Sequence, residues 1–198
     1  DGSYESVGAV QSQDSPYYPW YPFSHWPDKY DSWWGIYSLP AVNEADSSYR
    51  RYIFGGADSI IRRWLAAGAD GWRLDVADEL PDEFIEKVRT AVKRVGPDKF
   101  LLGEVWEDAT TKFGFDKRRT YLLGKGLDSV MNYPFKNAVL GFVCGRDAGQ
   151  TMTDILSICE HYPAPALDTA LNFLSTHDTE RALTVIADEP ANGRGREW

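Results

Sequence analysis

Cysteines, basic residues and long apolar runs are scarce in this chain of 198 residues, and each shortage argues against a class of protein. The two cysteines, Cys144 and Cys159, are too few for a disulfide framework and lack metal-site spacing, so we expect both in the core on helices. Acidic residues outnumber basic ones by 30 to 21, which argues against nucleic-acid binding because phosphate contacts need a basic face. No apolar run approaches the roughly 20 residues of a membrane-spanning helix. We therefore expect neither nucleic acid nor membrane as a partner.

The first part of the chain is unusual in its aromatic content. Ten of the 21 residues in 17–37 are Phe, Tyr or Trp, and three are Pro. The prolines break long strands and helical periodicity is absent, so we expect an irregular segment held together by aromatic packing. A minority of these rings would face a ligand, since aromatic rings also pack on the apolar faces of sugars.

Helices and strands alternate from about residue 48 onwards. Apolar spacing and end signals predict helices at 57–69, 81–96, 116–126, 135–145 and 151–162, and one that begins at 178. Short apolar runs between them predict strands at 71–77, 99–106, 128–133 and 170–176. Strands separated by helices form a parallel sheet, which fits either a doubly wound sheet or a (β/α) barrel. Four repeats fall short of the eight strands of a full barrel, so a barrel would be incomplete.

Three of the four predicted strands end in an acidic residue, at the sheet edge where α/β proteins place their chemistry. These acids are Asp75, Glu104 and Asp178. Strand alternation puts Arg73 and Asp75 on one face, and a neighbouring guanidinium keeps a buried carboxylate ionised, as a nucleophile requires. Glu104 lies among apolar residues and Trp106, where loss of water favours the protonated form that a general acid requires. Two carboxyl groups with opposite preferences are typical of a glycoside hydrolase.

A structural interpretation of the same acids competes with the catalytic one. Asp75 and Asp178 would each be a helix N-cap, because Asp is common just before a helix. Glu104 would be an ion-pair partner. The presence of all three at strand ends, with Arg73 and His177 beside two of them, favours the catalytic interpretation.

The residues around these acids resemble the α-amylase family of glycoside hydrolases, and within it the neopullulanase and cyclomaltodextrinase-like branch. DGWRLDVADE (70–79) is similar to the segment that carries the family's nucleophile, and GEVW (103–106) to the one that carries its acid/base. FLSTHDT (173–179) is similar to the segment of the third carboxylate, and SLPAVN (38–43) to a motif in the domain that interrupts the barrel. The four segments occur in the family's order, and the resemblance covers nearly the whole chain.

The resemblance implies retaining hydrolysis of α-1,4-glucosidic bonds in maltooligosaccharides, cyclodextrins, starch or pullulan. Asp75 would be the nucleophile, Glu104 the acid/base, and Asp178 the carboxylate that binds the hydroxyls beside the reacting carbon. Arg73 would orient Asp75, and His177 would hydrogen-bond the sugar in the −1 subsite. Transglycosylation or sucrose isomerisation uses the same three acids and stays an alternative, as does a non-catalytic glucan-binding role.

Five further positions are of interest for specificity. Glu79 matches the Asn-Glu pair typical of the favoured branch, whereas Asp78 departs from it. Trp106 would either stack on the leaving sugar or pack behind Glu104. Tyr133, together with Phe135, would line the barrel mouth rather than touch substrate.

The resemblance also implies a layout. Residues 1–47 would be part of the inserted domain that follows the third strand, and residues 48–198 a partial (β/α)8 barrel with strands four to seven. The family's first conserved segment, with strands one to three and strand eight, is not in this sequence, so the chain resembles a fragment. We expect an isolated fragment to be nearly inactive and to self-associate through open strand edges.

Two expectations concern the surroundings of the protein. The family often binds calcium between the barrel and the inserted domain, but the first segment that supplies a ligand is missing, so calcium is an open expectation and no metal ligand is assigned. The favoured branch is frequently intracellular, and unpaired cysteines suit a reducing compartment, which favours the cytoplasm over secretion.

Overall fold

Residues 7–187 are described by a computed structural model, in which the chain divides after Ala67 into two units. The domain boundary predicted between residues 47 and 48 was placed where the sequence pattern changes, and it differs from this structural division. That boundary stays a prediction. Those parts of the predictions that concern residues 1–6 and 188–198 lie outside the described residues. Within residues 7–187, no helix combines the length and apolar character needed to cross a bilayer.

The first unit is mostly irregular and rich in ring contacts. A short antiparallel hairpin joins β1 (Phe23–His25) to β2 (Lys29–Tyr30). Its helices are the 3-10 turns Tyr18–Trp20 and Trp33–Gly35, α1 (Ser47–Arg50), the π-helical turn Arg51–Gly55 and α2 (Ile60–Ala66).

Aromatic packing holds this irregular segment together, as predicted. Tyr18 stacks on Phe23 with 5.2 Å between ring centroids, and Phe23 meets Tyr30 edge to face at 5.8 Å. Trp20 contacts Tyr49 at 5.4 Å. Such offset and edge-to-face pairs add to the stability that ring burial provides.

The second unit alternates strands and helices. Its elements in chain order are β3 (Gly71–Leu74), the 3-10 turn Ala77–Glu79, α3 (Asp82–Val95), β4 (Phe100–Gly103), β5 (Phe113–Gly114), β6 (Lys117–Arg118), β7 (Ser129–Val130), α4 (Tyr133–Val143), α5 (Ala148–His161), α6 (Ala164–Asp168) and α7 (Ala182–Ile186).

Strands β3, β4 and β7 form a parallel sheet in that order. Leu74 pairs with Gly103, and Gly103 pairs with Val130, so the three strands reach their carboxyl ends at the same level. Residues that follow these strands therefore collect at one edge of the sheet. This register positions the candidate site.

Helix α3 shows how the sequence builds the layer that covers the sheet. Acidic residues in its first turn and basic residues in its last complement the helix dipole. Its apolar stripe is buried against β4. That stripe consists of Phe84, Ile85, Val88, Ala91 and Val92.

Two predicted elements are wrong. The helix expected at 116–126 is instead the β5–β6 hairpin followed by turns, because Phe115 and Asp116 both take positive φ values, 53° and 59°, as a two-residue hairpin turn requires. The strand expected at 170–176 is reduced to a single bridge between Leu171 and Met131.

The expectation that both cysteines lie in the core is also wrong, since Cys144 and Cys159 are exposed. Cys144 ends α4 as its C-cap. Cys159 follows the buried Ile158 in α5, and adjacent helical positions point about 100° apart, so burial of one exposes the other.

Candidate active site

Glu104 is the buried centre of the site. It directly follows β4, and only 5% of its side chain is exposed. Its Oε2 accepts the Val76 backbone N–H at 2.8 Å, and Arg73 Nη2 lies 2.9 Å from the same oxygen as an ionic contact outside hydrogen-bond geometry. Its Oε1 accepts the Trp106 indole N–H at 2.9 Å, with the Tyr133 hydroxyl at 3.5 Å. The expected burial of Glu104 is present, but its surroundings are not apolar alone, because three hydrogen-bond donors and the Arg73 guanidinium face this carboxyl group.

Asp75 lies one residue beyond β3 and is not buried. Its side chain is 70% exposed, whereas the sequence analysis expected it inside a buried strand. The expected contact with Arg73 is present, since Arg73 Nη1 donates to Asp75 Oδ1. Arg73 thus touches Asp75 with one terminal nitrogen and Glu104 with the other. One guanidinium bridges two carboxyl groups of opposite exposure.

The loop after Asp75 is fastened to Glu104. Val76 has a φ of 44° in the left-handed region, which is strained for a β-branched residue. Its N–H donates to the Glu104 carboxylate, and the Ala77 N–H donates to the Glu104 carbonyl at 3.0 Å. These two bonds hold the strained turn in place.

Asp178 and His177 lie in the turn before α7. His177 Nε2 lies 3.2 Å from Asp178 Oδ2, and the two side chains are 75% and 37% exposed. The Asp178 N–H donates to Thr176 Oγ1 at 3.2 Å. Asp178 is not a helix N-cap, because α7 begins at Ala182 with Arg181 as its cap. Nor does Asp75 cap a helix, so for these two residues the structural interpretation is wrong.

Tyr133 lies beside Glu104, and its ionisation is influenced by both Glu104 and Asp178. Burial raises the pKa of Tyr133, and the charges of Glu104 and Asp178 raise it further, whereas a hydrogen bond with Thr176 and the Arg73 charge oppose this. Tyr133 is therefore within electrostatic reach of both acids. From the sequence, Tyr133 was expected only to line the barrel mouth. The strand-end rule that singled out the acids also pointed to this position, but the residue is uncharged.

Trp106 packs against Tyr133, with 4.3 Å between ring centroids and 14° between the ring planes. Phe173 meets the same tyrosine edge to face at 4.8 Å. Trp106 thus packs on Tyr133 and donates to Glu104 while 44% of the residue remains exposed, so its two predicted roles, packing behind Glu104 and stacking on the leaving sugar, both stay predictions.

Glu79 ends the 3-10 turn that follows Val76, and it is exposed. Its neighbour Asp78 is largely buried and pairs with Lys112 at 3.1 Å. Among residues 7–187, no three His, Cys, Asp or Glu side chains form a group that could hold a metal ion.

Comparison with known proteins extends these observations. The family model of the α-amylase catalytic domain matches residues 21–196. An amylopullulanase from Thermoanaerobacter thermohydrosulfuricus is 34% identical over 98% of this chain and 14% of its own length. A cyclomaltodextrinase from Geobacillus thermopakistaniensis is 34% identical over 88% of this chain and 29% of its own length. The chain thus spans less than a third of the length of these curated relatives.

Among solved structures, the cyclic α-maltosyl-(1→6)-maltose hydrolase of Arthrobacter globiformis superposes with a TM-score of 0.80 at 29% sequence identity. The match covers 90% of this chain and 39% of that one. The debranching enzyme of Nostoc punctiforme superposes with a TM-score of 0.78 at 29% identity, over 90% of this chain and 40% of that one.

Proposed function

We propose a function from the premise that this chain belongs to the α-amylase family, whose catalytic domain is a (β/α)8 barrel. Within that barrel, β3, β4 and β7 would be strands four to six, and the bridge at Leu171 would mark strand seven. Residues 1–47 would belong to the domain inserted after strand three, and residues 48–198 to the barrel. The parallel order of the three strands supports this assignment.

The whole protein would be a retaining hydrolase of α-1,4-glucosidic bonds in cyclodextrins, maltooligosaccharides, starch or pullulan. The names of relatives support this substrate class, since they include cyclomaltodextrinase, amylopullulanase and neopullulanase. The single observation that carries the proposal is the Arg73 bridge between Asp75 and Glu104. A bridged pair of carboxyl groups at the carboxyl ends of neighbouring barrel strands suits double displacement at a sugar carbon.

In the first step, the Asp75 carboxylate would attack the anomeric carbon and form a glucosyl ester. Glu104 would give its proton to the departing glycosidic oxygen as the C–O bond breaks. In the second step, Glu104 would take a proton from water, whose oxygen attacks the same carbon and releases Asp75. Each step inverts the carbon, so the configuration is retained overall.

Arg73 would serve both steps through its two contacts. Before the first step the negative charge is on Asp75, and after it the charge is on Glu104, because Asp75 has become a neutral ester. Arg73 lies against both groups, so one counter-ion accompanies the charge from one residue to the other. A fixed counter-ion avoids rearrangement of the site between the two half-reactions.

The remaining predicted residues would bind substrate. Asp178 would accept hydrogen bonds from the hydroxyls beside the reacting carbon, and His177 would contact the same sugar. Trp106 and Glu79 would face the leaving-group side. The exposure of all four supports contact with a ligand. Calcium and self-association stay predictions that these observations do not test.

The test measures sugar release from γ-cyclodextrin, maltotriose, pullulan and soluble starch by the full-length protein that contains this chain. Asp75→Asn should abolish release, because the amide cannot attack. Asp70→Asn is the matched control, since Asp70 is fully exposed just before β3 and should leave the rate unchanged. Products longer than the substrate would indicate transglycosylation instead, and absence of turnover by the wild type on all four would reject the proposal.

A further inference from the structure

A second arginine, Arg119, is fully buried beside the turn that follows Asp75. Its side chain has 0% exposure. Its Nη1 donates to the Asp78 carbonyl at 2.7 Å, its Nη2 to the Leu80 carbonyl at 2.5 Å, and its Nε to Asp82 Oδ1 at 2.7 Å. All three nitrogens of the guanidinium are therefore directed at the segment 78–82. Lysine could not reproduce this planar set of donors.

The turn 76–80 is thereby held at both ends. At its start, the Val76 and Ala77 N–H groups donate to Glu104. At its end, the carbonyls of Asp78 and Leu80 accept from Arg119. The turn contains a left-handed valine, so it needs such contacts to keep its shape. Asp75, which precedes it directly, has its backbone direction set by this shape.

The positive charge of Arg119 is balanced by a neighbouring carboxylate and by two aromatic rings. Burial opposes ionisation of Asp82, but the Arg119 donor at its Oδ1 and the Lys117 ammonium 2.9 Å from its Oδ2 outweigh this and lower the pKa of that carboxyl. The rings of Phe115 and Tyr121 lie 5.0 Å and 4.5 Å from the Arg119 guanidinium carbon. Cation–π contact and an ion pair together allow a buried arginine.

The Arg119 N–H also donates to the Lys112 carbonyl at 2.8 Å, beside the β5–β6 hairpin. Lys112 in turn pairs with Asp78, so the residues just before and just after the hairpin both contact the turn through cationic side chains. The hairpin follows Glu104 in the chain, and the turn follows Asp75. Arg119 therefore ties the turn that follows Asp75 to the stretch of chain around the hairpin.

We propose that Arg119 is a positioning residue for the nucleophile, which acts by fixing the turn 76–80 and so the approach of Asp75 to the anomeric carbon. The inference rests on the proposed function. Because Arg119 is fully buried, we expect it not to touch the substrate, so its loss would lower kcat with little change in KM. A displacement of about 1 Å in a catalytic group costs about 100-fold in rate.

The experiment compares Arg119→Gln and Arg119→Lys with Arg89→Gln and Arg89→Lys in the full-length protein. Arg89 is the matched control because it also pairs with a partly buried acid, Asp128 at 2.7 Å, but contacts neither the turn nor the hairpin through that pair. We would measure kcat and KM per folded molecule on maltotriose and on α-glucosyl fluoride. Fluoride departs without strong acid assistance, so the second substrate reports on the nucleophile.

We expect Arg119→Gln to lower kcat about 100-fold on both substrates and Arg119→Lys about 10-fold, with KM within about twofold. Both Arg89 variants should keep kcat and lose only thermal stability. If Arg119→Gln does not fold, Arg119→Lys decides alone. A kcat within twofold of the wild type for folded Arg119 variants, while the wild type is active and Asp75→Asn is not, would overturn this inference and leave the proposed function standing.

Discussion

Tyr133 and Trp106 stack face to face and direct their polar atoms at the same oxygen, Oε1 of Glu104. The Trp106 indole nitrogen lies 2.9 Å from that oxygen and the Tyr133 hydroxyl 3.5 Å. Hydrogen bonds weaken over this range, so the indole is the stronger donor. The opposite oxygen, Oε2, faces Arg73 and the Val76 N–H. The carboxyl group is thus held from two sides.

This difference in distance predicts an order of effects. Trp106→Phe retains a ring for stacking and removes the shorter bond, and it should lower kcat about 10-fold. Tyr133→Phe removes the longer bond and should lower kcat about twofold. Tyr162→Phe is the control, because Tyr162 is equally buried but its hydroxyl accepts from the Ala109 N–H. A larger loss in Tyr133→Phe than in Trp106→Phe would contradict the geometry.

Arg73→Lys should lower kcat about 100-fold or more. A lysine ammonium is a single point charge, whereas the guanidinium contacts both carboxyl groups through separate nitrogens. The measurement is steady-state turnover of maltotriose, with Arg94→Lys on the exposed face of α3 as the control. Retention of wild-type kcat in Arg73→Lys would show that the double contact is dispensable.

The stability of the second unit should depend on Asp128 in a defined pH range. Burial opposes its ionisation, but hydrogen bonds from Lys93, Arg89 and the Leu101 N–H outweigh this and lower its pKa from the ordinary value of 3.8. A lowered native pKa means that the stabilisation is complete above the ordinary value and is lost as the pH falls through the native one. Acid should therefore remove it below about pH 4.

Asp128→Asn tests this dependence. At pH 7 the variant should lose about 2–3 kcal/mol of unfolding free energy, because Lys93 and Arg89 lose their shared partner. The loss of unfolding free energy should be smaller at pH 3, where Asp128 of the wild type is itself partly protonated. Denaturant unfolding of the second unit at both pH values measures it, with the exposed Asp98→Asn as the control. An equal loss at pH 3 and pH 7 would refute the ionic explanation.

Gly103→Ala should destabilise the fold by about 2 kcal/mol. A Cβ at this position would collide with Leu127 Cδ1 and lie 3.2 Å from the Ala77 Cβ. Gly149→Ala in α5 is the control, since its Cβ would meet only the flexible Asp147 carboxylate at 3.1 Å. Thermal unfolding compares the two variants. Equal melting temperatures would show that the core accommodates the added Cβ at position 103 without loss of stability.

The sequence predicted the features that depend on local pattern. The strands at Gly71–Leu74 and Phe100–Gly103 and the helix at Asp82–Val95 follow from apolar periodicity and end signals, and the strand-end rule selected Asp75 and Glu104. Their positions in the chain differ from the predictions only at the ends. The predicted strands were longer because apolar residues continue past the last paired position.

The failures involve tertiary contacts that sequence spacing does not encode. The segment 116–126 has helical composition, yet the buried Arg119 ties it to carbonyls about 40 residues earlier. The bridging of Glu104 by Arg73 depends on the register of two strands, which alternation within one strand cannot give. The structure thus adds one arginine and three neutral donors to the buried environment of Glu104.

Because of the left-handed turn at Val76, a substitution at Glu104 also affects Asp75, so the catalytic contributions of the two acids are hard to measure separately. Its N–H is satisfied by the Glu104 carboxylate, so any substitution that shortens Glu104 also frees a strained residue next to Asp75. Kinetic losses in a Glu104→Ala variant would therefore combine a missing proton donor with a displaced nucleophile. The two losses would not add in a double variant, and Glu104→Gln, which keeps an acceptor for Val76, is the substitution that isolates proton transfer.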